Sequence, residues 1–324
     1  MPYANSSAVR EFYLVGFPTE PSTQLLLFFL VLTNYLITLS GNTVIICITL
    51  SDHRLQSPMY FFLRNFSFAE IWFTTVTVPK LLAGFLWGSH TISFVGCMTQ
   101  CYFYFLLGAT EFLLLGVMSF DRYQAVCNPL RYPALMTRNQ ACIQMLVGSW
   151  LGGFLSVLFP TILITRLSFC RSNVINHFFC DSGPLLELSC SDTSFIELMD
   201  FFLSAVVIIC SLTVTLFSYM FIISAVMHIS STTGRAKAFN TCASHLTIIS
   251  ISCSISIFIY VTPSQKETLE VHKVPATIVC PFLNPFIFTL KNDTVKQALK
   301  DVLRQYKVLV TQKAWGSLQK KRPI

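Results

Sequence analysis

Glu111-Phe112-Leu113-Leu114-Leu115-Gly116-Val117-Met118-Ser119-Phe120-Asp121-Arg122-Tyr123 is the stretch on which the fold turns. It closes an apolar run over residues 91–120 and ends in a charged pair where a greasy helix meets water. An ion pair at a membrane boundary that can break and re-form is a candidate conformational switch. Its surroundings decide among a pump, a channel and a receptor.

Working outward, composition sets the solvent. The 324 residues are 53% hydrophobic and 11% charged, with a mean hydropathy of +0.62; a soluble domain carries about 25% charged residues. Runs long enough to cross a bilayer, about 17 to 25 residues, cover 25–50, 58–86, 91–120, 140–165, 195–228, 238–262 and 274–290. The expected fold is therefore an all-α membrane protein, a seven-transmembrane helix bundle. Residues 1–24 form an outer tail, 25–290 the seven-span domain, and 291–324 an inner tail with a short amphipathic helix. Apart from the tails, only the loop at 166–195 is long, and no internal repeat relates the two halves.

Orientation follows from Lys and Arg, which are in excess on cytoplasmic flanks. Arg54, Arg64, Arg122, Arg131, Arg138, Arg235, Lys237 and nine basic residues after Leu290 lie on one side. Arg10, Lys80, Arg166, Arg171, Lys266 and Lys273 lie on the other. The amino terminus is expected outside and the carboxyl terminus inside. Residues 1–24 lack the pattern of a cleaved signal peptide, so the first span is expected to act as an uncleaved anchor. The net charge of +7 resides mostly in the basic tail. Such a tail reads anionic membrane lipid, and no nucleic-acid partner is expected.

Cys97 at the outer start of the third run and Cys170, Cys180 and Cys190 in the long loop share an oxidising compartment. Four cysteines allow three pairings; one bridge from loop to span and one within the loop is the most economical. Asn5-Ser6-Ser7 is a glycosylation acceptor on the outer side, whereas Asn65-Phe66-Ser67 has the same pattern inside a span.

Ionisable groups inside spans are expensive and therefore informative. Glu70 and Glu111 lie midway through the second and third runs, with Asn42 and Asn284 at similar depth. Two carboxylates in one buried polar centre repel unless a cation or proton sits between them. A sodium or proton site is one reading; two protonated carboxyls hydrogen-bonded to Ser or Asn are the other. No further cofactor is expected. Catalysis finds no support, since no His-Glu-x-x-His, Gly-x-Ser-x-Gly or phosphate-loop pattern occurs. Transport lacks the repeat symmetry and broken helices typical of carriers. A cation-conducting bundle could use Glu70 and Glu111, but Tyr104, Phe105 and Phe112 block that face.

Five ordered motifs then become specific: Leu55-Gln56-Ser57-Pro58-Met59-Tyr60-Phe61-Phe62-Leu63; Asp121-Arg122-Tyr123 continuing to Ala125-Val126-Cys127; Ser218-Tyr219; Lys237-Ala238-Phe239-Asn240-Thr241-Cys242-Ala243-Ser244-His245-Leu246; and Pro281-Phe282-Leu283-Asn284-Pro285. With these the chain, over residues 10–305, resembles a vertebrate olfactory receptor of the rhodopsin-like G-protein-coupled class. His177-Phe178-Phe179-Cys180-Asp181 is similar to the loop signature of the tetrapod-type (class II) branch. The resemblance implies bridges Cys97–Cys180 and Cys170–Cys190. It implies a small, mostly apolar volatile odorant bound in the outer half of the bundle. The lining would comprise Tyr104, Phe105, Gly108, Ala109 and Phe112 of span three, which share one helical face. Facing them would be Leu203, Ser204, Val207 and Ile208 of span five, Ser256, Ile257 and Tyr260 of span six, and Thr277 of span seven.

It further implies a heterotrimeric G protein of the stimulatory, olfactory type that raises cyclic AMP. The location would be the plasma membrane of olfactory sensory cilia. Asp121, Arg122, Tyr123, Tyr219, Lys237, His245, Asn284 and Pro285 would form the switch and coupling region. Arg122 would rest against Asp121 or polar groups of span six and turn to Tyr219 when span six swings out. Arg235 and Lys237 would flank the crevice, together with a membrane-lying helix bearing Val295, Leu299, Val302 and Leu303. A rhodopsin-like receptor for a non-odorant small molecule is the runner-up; an amine or peptide receptor would carry an acidic anchor where Tyr104 stands. Departures from the family pattern are Phe120, Gln124, Asn240, Ser252-Cys253-Ser254, and a short segment 273–284 carrying Pro275, which leaves a seventh span near the lower length limit.

Overall fold

The computed structural model describes residues 9–17, 20–136, 139–170, 172–228, 231, 235, 242–243, 245–254, 280–290, 294–302 and 304. Helix α1 (Pro21–Ser51) and helix α2 (Pro58–Trp87) each begin with a proline, whose fixed φ suits a first helical turn and whose missing N–H costs nothing there. α2 ends at Gly88, φ +61°, a left-handed terminator that a side chain would disfavour. Helix α3 (Phe94–Cys127) starts where the Ser93 hydroxyl accepts the Gly96 N–H at 3.1 Å. A short α4 (Tyr132–Met136), α5 (Asn139–Thr165), a loop helix α6 (Ser182–Glu187) and α7 (Ser194–Met227) follow. The sixth span is described as a helix over His245–Ser254 and the seventh over Cys280–Leu290.

Four of these helices, Pro21–Ser51, Phe94–Cys127, Gln140–Thr165 and Ser194–Met227, are long and apolar enough to cross a membrane. α2 is equally long but carries Arg64, Glu70 and Lys80. The outward rows, such as Leu26, Phe29 and Leu30 on α1 or Phe201, Phe202, Ile209 and Leu216 on α7, are exposed hydrophobics, as lipid contact requires. At 34 residues, α3 and α7 are each about 51 Å long at 1.5 Å per residue, well beyond a hydrocarbon core of about 30 Å. The expected end of the third span at Phe120 is therefore superseded. The helix runs on to Cys127, so Asp121-Arg122-Tyr123 sits inside a helix that protrudes, not at its tip.

The outer end holds a feature that hydropathy did not announce. Strand β1 (Glu11–Leu14) pairs antiparallel with β2 (Thr91–Ser93) and parallel with β3 (Val174–Ile175), giving the order β2-β1-β3. Alternation puts Phe12 and Leu14 inward against Cys97, Met98, Ile164, Cys180 and Ile196. The outer tail is thus fastened across the bundle between residues 11 and 14. Cys97–Cys180 and Cys170–Cys190 are both bonded, with Cα separations of 5.4 and 5.8 Å.

At the inner end, Asp52 caps a 3₁₀ turn over His53–Leu55, and Arg54 bridges Asp52 at 2.6 Å and Asp301 at 2.8 Å. Val295 and Ala298 are buried with Ile48 and Leu55. The helix over 294–302 turns Val295 and Ala298 into the protein and leaves Val302 exposed. Leu303 lies outside the described residues.

Helices approach closely at small residues, as in lipid they must. A Cβ on Gly153 of α5 would meet the Leu106 carbonyl of α3 at 2.9 Å, whereas one on Gly148 would meet nothing within 4 Å. Gly153→Leu is expected to lower stability by roughly 1–3 kcal/mol through overpacking, read as a lower melting temperature in detergent, while Gly148→Leu leaves it unchanged. The Arg54 guanidinium holds the Asp52 carboxyl down from 3.8 to about 2. A depressed carboxylate contributes to the folded state above its ordinary value and ceases to as pH falls through the folded one. An NMR titration should therefore return a midpoint near 2 for Asp52, and an ordinary value would refute the clasp.

Candidate functional site

The inner latch is built from α3 outward. Asp121 is buried, and its Oδ1 accepts a hydrogen bond from the Tyr132 hydroxyl of α4 at 2.9 Å. Its Oδ2 and the Arg122 Nε have no hydrogen-bond partner among the described residues. Among the described residues the ion pairs join Arg54 to Asp52 and Asp301, so of the two resting partners expected for Arg122, Asp121 or polar groups of span six, Asp121 forms no ion pair with it. The reason is geometric: adjacent helical residues point about 100° apart and do not face one another. Asp121 turns to α4. Arg122 turns inward, where its charge is felt by Tyr219, Cys242 and His245.

Tyr219 and His245, both buried, hydrogen-bond each other at 2.8 Å and so link α7 to the sixth span. Tyr123 tilts against Phe221 of α7, with ring centroids 5.7 Å apart. Above the latch, the Ser119 and Thr215 hydroxyls meet at 3.0 Å, and Ser211 donates to the Phe112 carbonyl. Lys237 and Asn240 lie outside the described residues. Burial and the adjacent Asp121 carboxylate push the Tyr132 phenol up, so it stays a donor.

At mid-depth, the Asn284 amide donates to the Glu70 carboxylate, tying the seventh span to α2. The neighbouring Pro285 packs on Gly41, where a Cβ would stand 2.8 Å from the proline Cβ. Glu111 lies within electrostatic reach of Glu70. Glu70 Oε2, Glu111 Oε1, Asn42 Oδ1 and Ser67 Oγ are buried oxygens with no partner among the described residues. Unpartnered hard oxygens are the donor set of a small cation or a shared proton. The described residues contain no cluster of three or more His, Cys, Asp or Glu that could hold a metal ion, so any cation here would rest on two carboxylates with amide and hydroxyl oxygens.

The outer half carries the expected ligand face. Tyr104 is stacked on Phe73 of α2 at 4.8 Å and packs on Phe179 of the loop at 4.4 Å. Phe105 meets Tyr104 edge-on, and Gly108 faces Phe73. Ala109 and Phe112 are half-buried, as are Leu203, Ser204, Val207 and Ile208 on the inward stripe of α7. Ser256, Ile257, Tyr260 and Thr277 lie outside the described residues; of the span-three positions, Phe112 is joined to α7 through its carbonyl, which accepts from Ser211. The loop is seated by Gln100, which accepts the Cys180 N–H at 3.0 Å and donates to the Val76 carbonyl at 2.8 Å. Asn5 also lies outside the described residues.

Four contributors escaped the sequence reading: Tyr132, Gln100, the Ser119/Thr215 pair, and Asp200 of α7, which accepts a hydrogen bond from Ser182 of α6. A buried Asp needs a donor, and Tyr132, eleven residues on, was the signal available.

A family description of olfactory receptors matches residues 30–306. Human olfactory receptor 6J1 is 59% identical over 300 residues, covering 92% of this chain and 86% of the relative. Human olfactory receptor 6C75 is 47% identical over 304 residues, covering 93% and 97%. Squid rhodopsin, in its crystal structure, shares the fold with a TM-score of 0.69 at 15% identity over 91% of both chains.

Tyr132→Phe leaves a buried carboxylate without its donor, at a cost of about 1–3 kcal/mol. The expected outcome is a lower melting temperature that the second change Asp121→Asn partly restores; additive losses would contradict the contact.

Proposed function

We propose, from the premise that this chain belongs to the olfactory receptor family, that it binds a small, mostly apolar volatile molecule between α3, α7 and the outer halves of spans six and seven. Binding drives a stimulatory, olfactory-type G protein and raises cyclic AMP. The observation that supports the reading is the packing of Tyr104 on Phe73 and on Phe179 of the disulfide-bonded loop, on the same helix that carries Asp121-Arg122-Tyr123. Being odorant-sensing and G-protein-coupled, the chain is a non-enzymatic, multi-pass membrane receptor. The plasma membrane of olfactory cilia, with the amino terminus and Asn5 outside, is the location this reading assigns.

The coupling step requires two arrangements of the inner half and a ligand that binds one better than the other. In the arrangement described, Tyr219 is held by His245 and Arg122 lacks a carboxylate. In the active arrangement the sixth span moves out, the Tyr219–His245 bond opens, and Arg122 turns to Tyr219 as a G-protein segment enters beside Lys237. Asn284 and Pro285 hold the seventh span to α2 and α1 through the change.

Glu70 and Glu111 share a sodium ion or a proton, with Asn42 and Ser67 completing the oxygen set. Two ions close together in a low-dielectric core repel strongly, and a bound cation removes that cost.

Cells expressing the chain with a stimulatory G protein should raise cyclic AMP in response to members of a volatile panel. Arg122→Ala should abolish that rise and leave ligand affinity within about twofold, a change below 0.5 kcal/mol. A ligand-gated current without nucleotide production would overturn the reading. For the polar centre, replacing sodium by a bulky organic cation should lower the melting temperature of the unaltered chain and leave that of Glu111→Gln unmoved. An equal shift in both would show that no cation is held there.

A further inference from the structure

A cavity of about 310 Å³ lies between α3, α4 and α5 on the cytoplasmic side of the bundle. Phe120 and Gln124 of α3, Met136 of α4, and Ala141, Gln144 and Met145 of α5 wall it, and no lining residue is charged. It adjoins lipid, since Ile143 and Val147 beside Gln144 are exposed hydrophobics. The size is at the lower end of small-molecule sites, which span about 300–1,000 Å³.

Its polar content is specific. Gln144 is exposed, and its amide finds no partner among the described residues. The Gln124 Oε1 accepts from Asn128 at 3.1 Å, but the Gln124 N–H donors are unused among them. Two neutral amides with spare donors, set in an apolar wall at a lipid boundary, match a molecule with an apolar body and one hydroxyl. The lack of a cation in the lining disfavours a carboxylate or phosphate head.

We propose that this cavity is a second binding site, for a lipid-dissolved aliphatic alcohol whose hydroxyl is held by Gln124 and Gln144 and whose chain lies against Phe120 and Met145. The molecule enters from the inner leaflet by partition. The site shares its walls with the latch: Phe120 precedes Asp121, and Met136 ends the helix that Tyr132 begins. The Met136 carbonyl is itself tied to α5 by the Cys142 thiol at 3.2 Å. An alcohol seated there holds α4 against α3 and thereby favours the Tyr132–Asp121 hydrogen bond, so it modulates coupling without touching the outer ligand face. Occupancy does not depend on the receptor reading, because binding is measured without signalling.

The test uses the full chain in nanodiscs with a diazirine-bearing decyl alcohol, irradiated and mapped by peptide mass. Labelling is expected to concentrate on residues 120–145 and to be competed by decyl alcohol about fivefold better than by decane, the worth of one hydrogen bond. Ala141→Trp, which fills the cavity, should lose the label. Gln124→Leu with Gln144→Leu, which keeps an apolar wall, should erase the preference for alcohol over decane, and it serves if the tryptophan variant does not fold. Label spread evenly along the lipid faces of α1 and α7, equal competition by decane, or displacement by phospholipid alone would overturn the proposal.

Discussion

Inside a bilayer no water is available to satisfy an unpaired polar group, and the structure follows from that constraint. Helices satisfy their own backbone groups; polar side chains must find each other. Those that do so stitch the bundle: Asn284 to Glu70, Gln100 to the loop at Cys180, Ser119 to Thr215, and Tyr219 to His245. Among the described residues, buried polar atoms without a hydrogen-bond partner include Glu70 Oε2 and Glu111 Oε1 at mid-depth, Asp121 Oδ2 and Arg122 Nε at the inner end, and the Tyr102 hydroxyl.

The two ends of the bundle are fastened differently. Two disulfides, a three-stranded sheet and the Tyr104–Phe179 packing fix the outer end. At the inner end, α3, α7 and the sixth span pack through Met118, Tyr219, Ile222 and Ile248, and the hydrogen bonds there, Tyr132 to Asp121 and Tyr219 to His245, are worth about 1 kcal/mol each. In the proposed mechanism, a ligand shifts the inner half only by as much as it binds one arrangement better than the other. Gly153 of α5 and Gly116 of α3 let α3 approach α5 and α7 closely, since a Cβ on either would crowd Leu106 or Ser211.

Much of this was legible in the chain. Long apolar runs marked the first, second, fourth and fifth spans to within a few residues, because a helix in lipid has to be apolar throughout. The end of α3 was misplaced by seven residues, since hydropathy reports where lipid stops and not where the helix does. The sheet was invisible: strands of two to four residues with no sustained alternation leave no period to read, and their pairing is set by the loop that Cys97 and Cys180 anchor. Asp121 and Arg122 read as a pair by proximity in sequence, yet adjacent helical positions diverge, and the true partner, Tyr132, stands across a turn. Val295 belonged to an amphipathic pattern, but which surface its apolar face would meet depended on Ile48 and Leu55, far away in the chain.

The central claim is that the inner end opens when ligand binds, with the Tyr219–His245 bond as its closed clasp. Spin labels at Leu130 and Ala238, followed by pulsed electron resonance in nanodiscs with an activating odorant and G protein, test it most directly. The account predicts that the distance lengthens on activation, and that Tyr219→Phe shifts the ligand-free population toward the longer distance. A distance unchanged while cyclic AMP rises would contradict it.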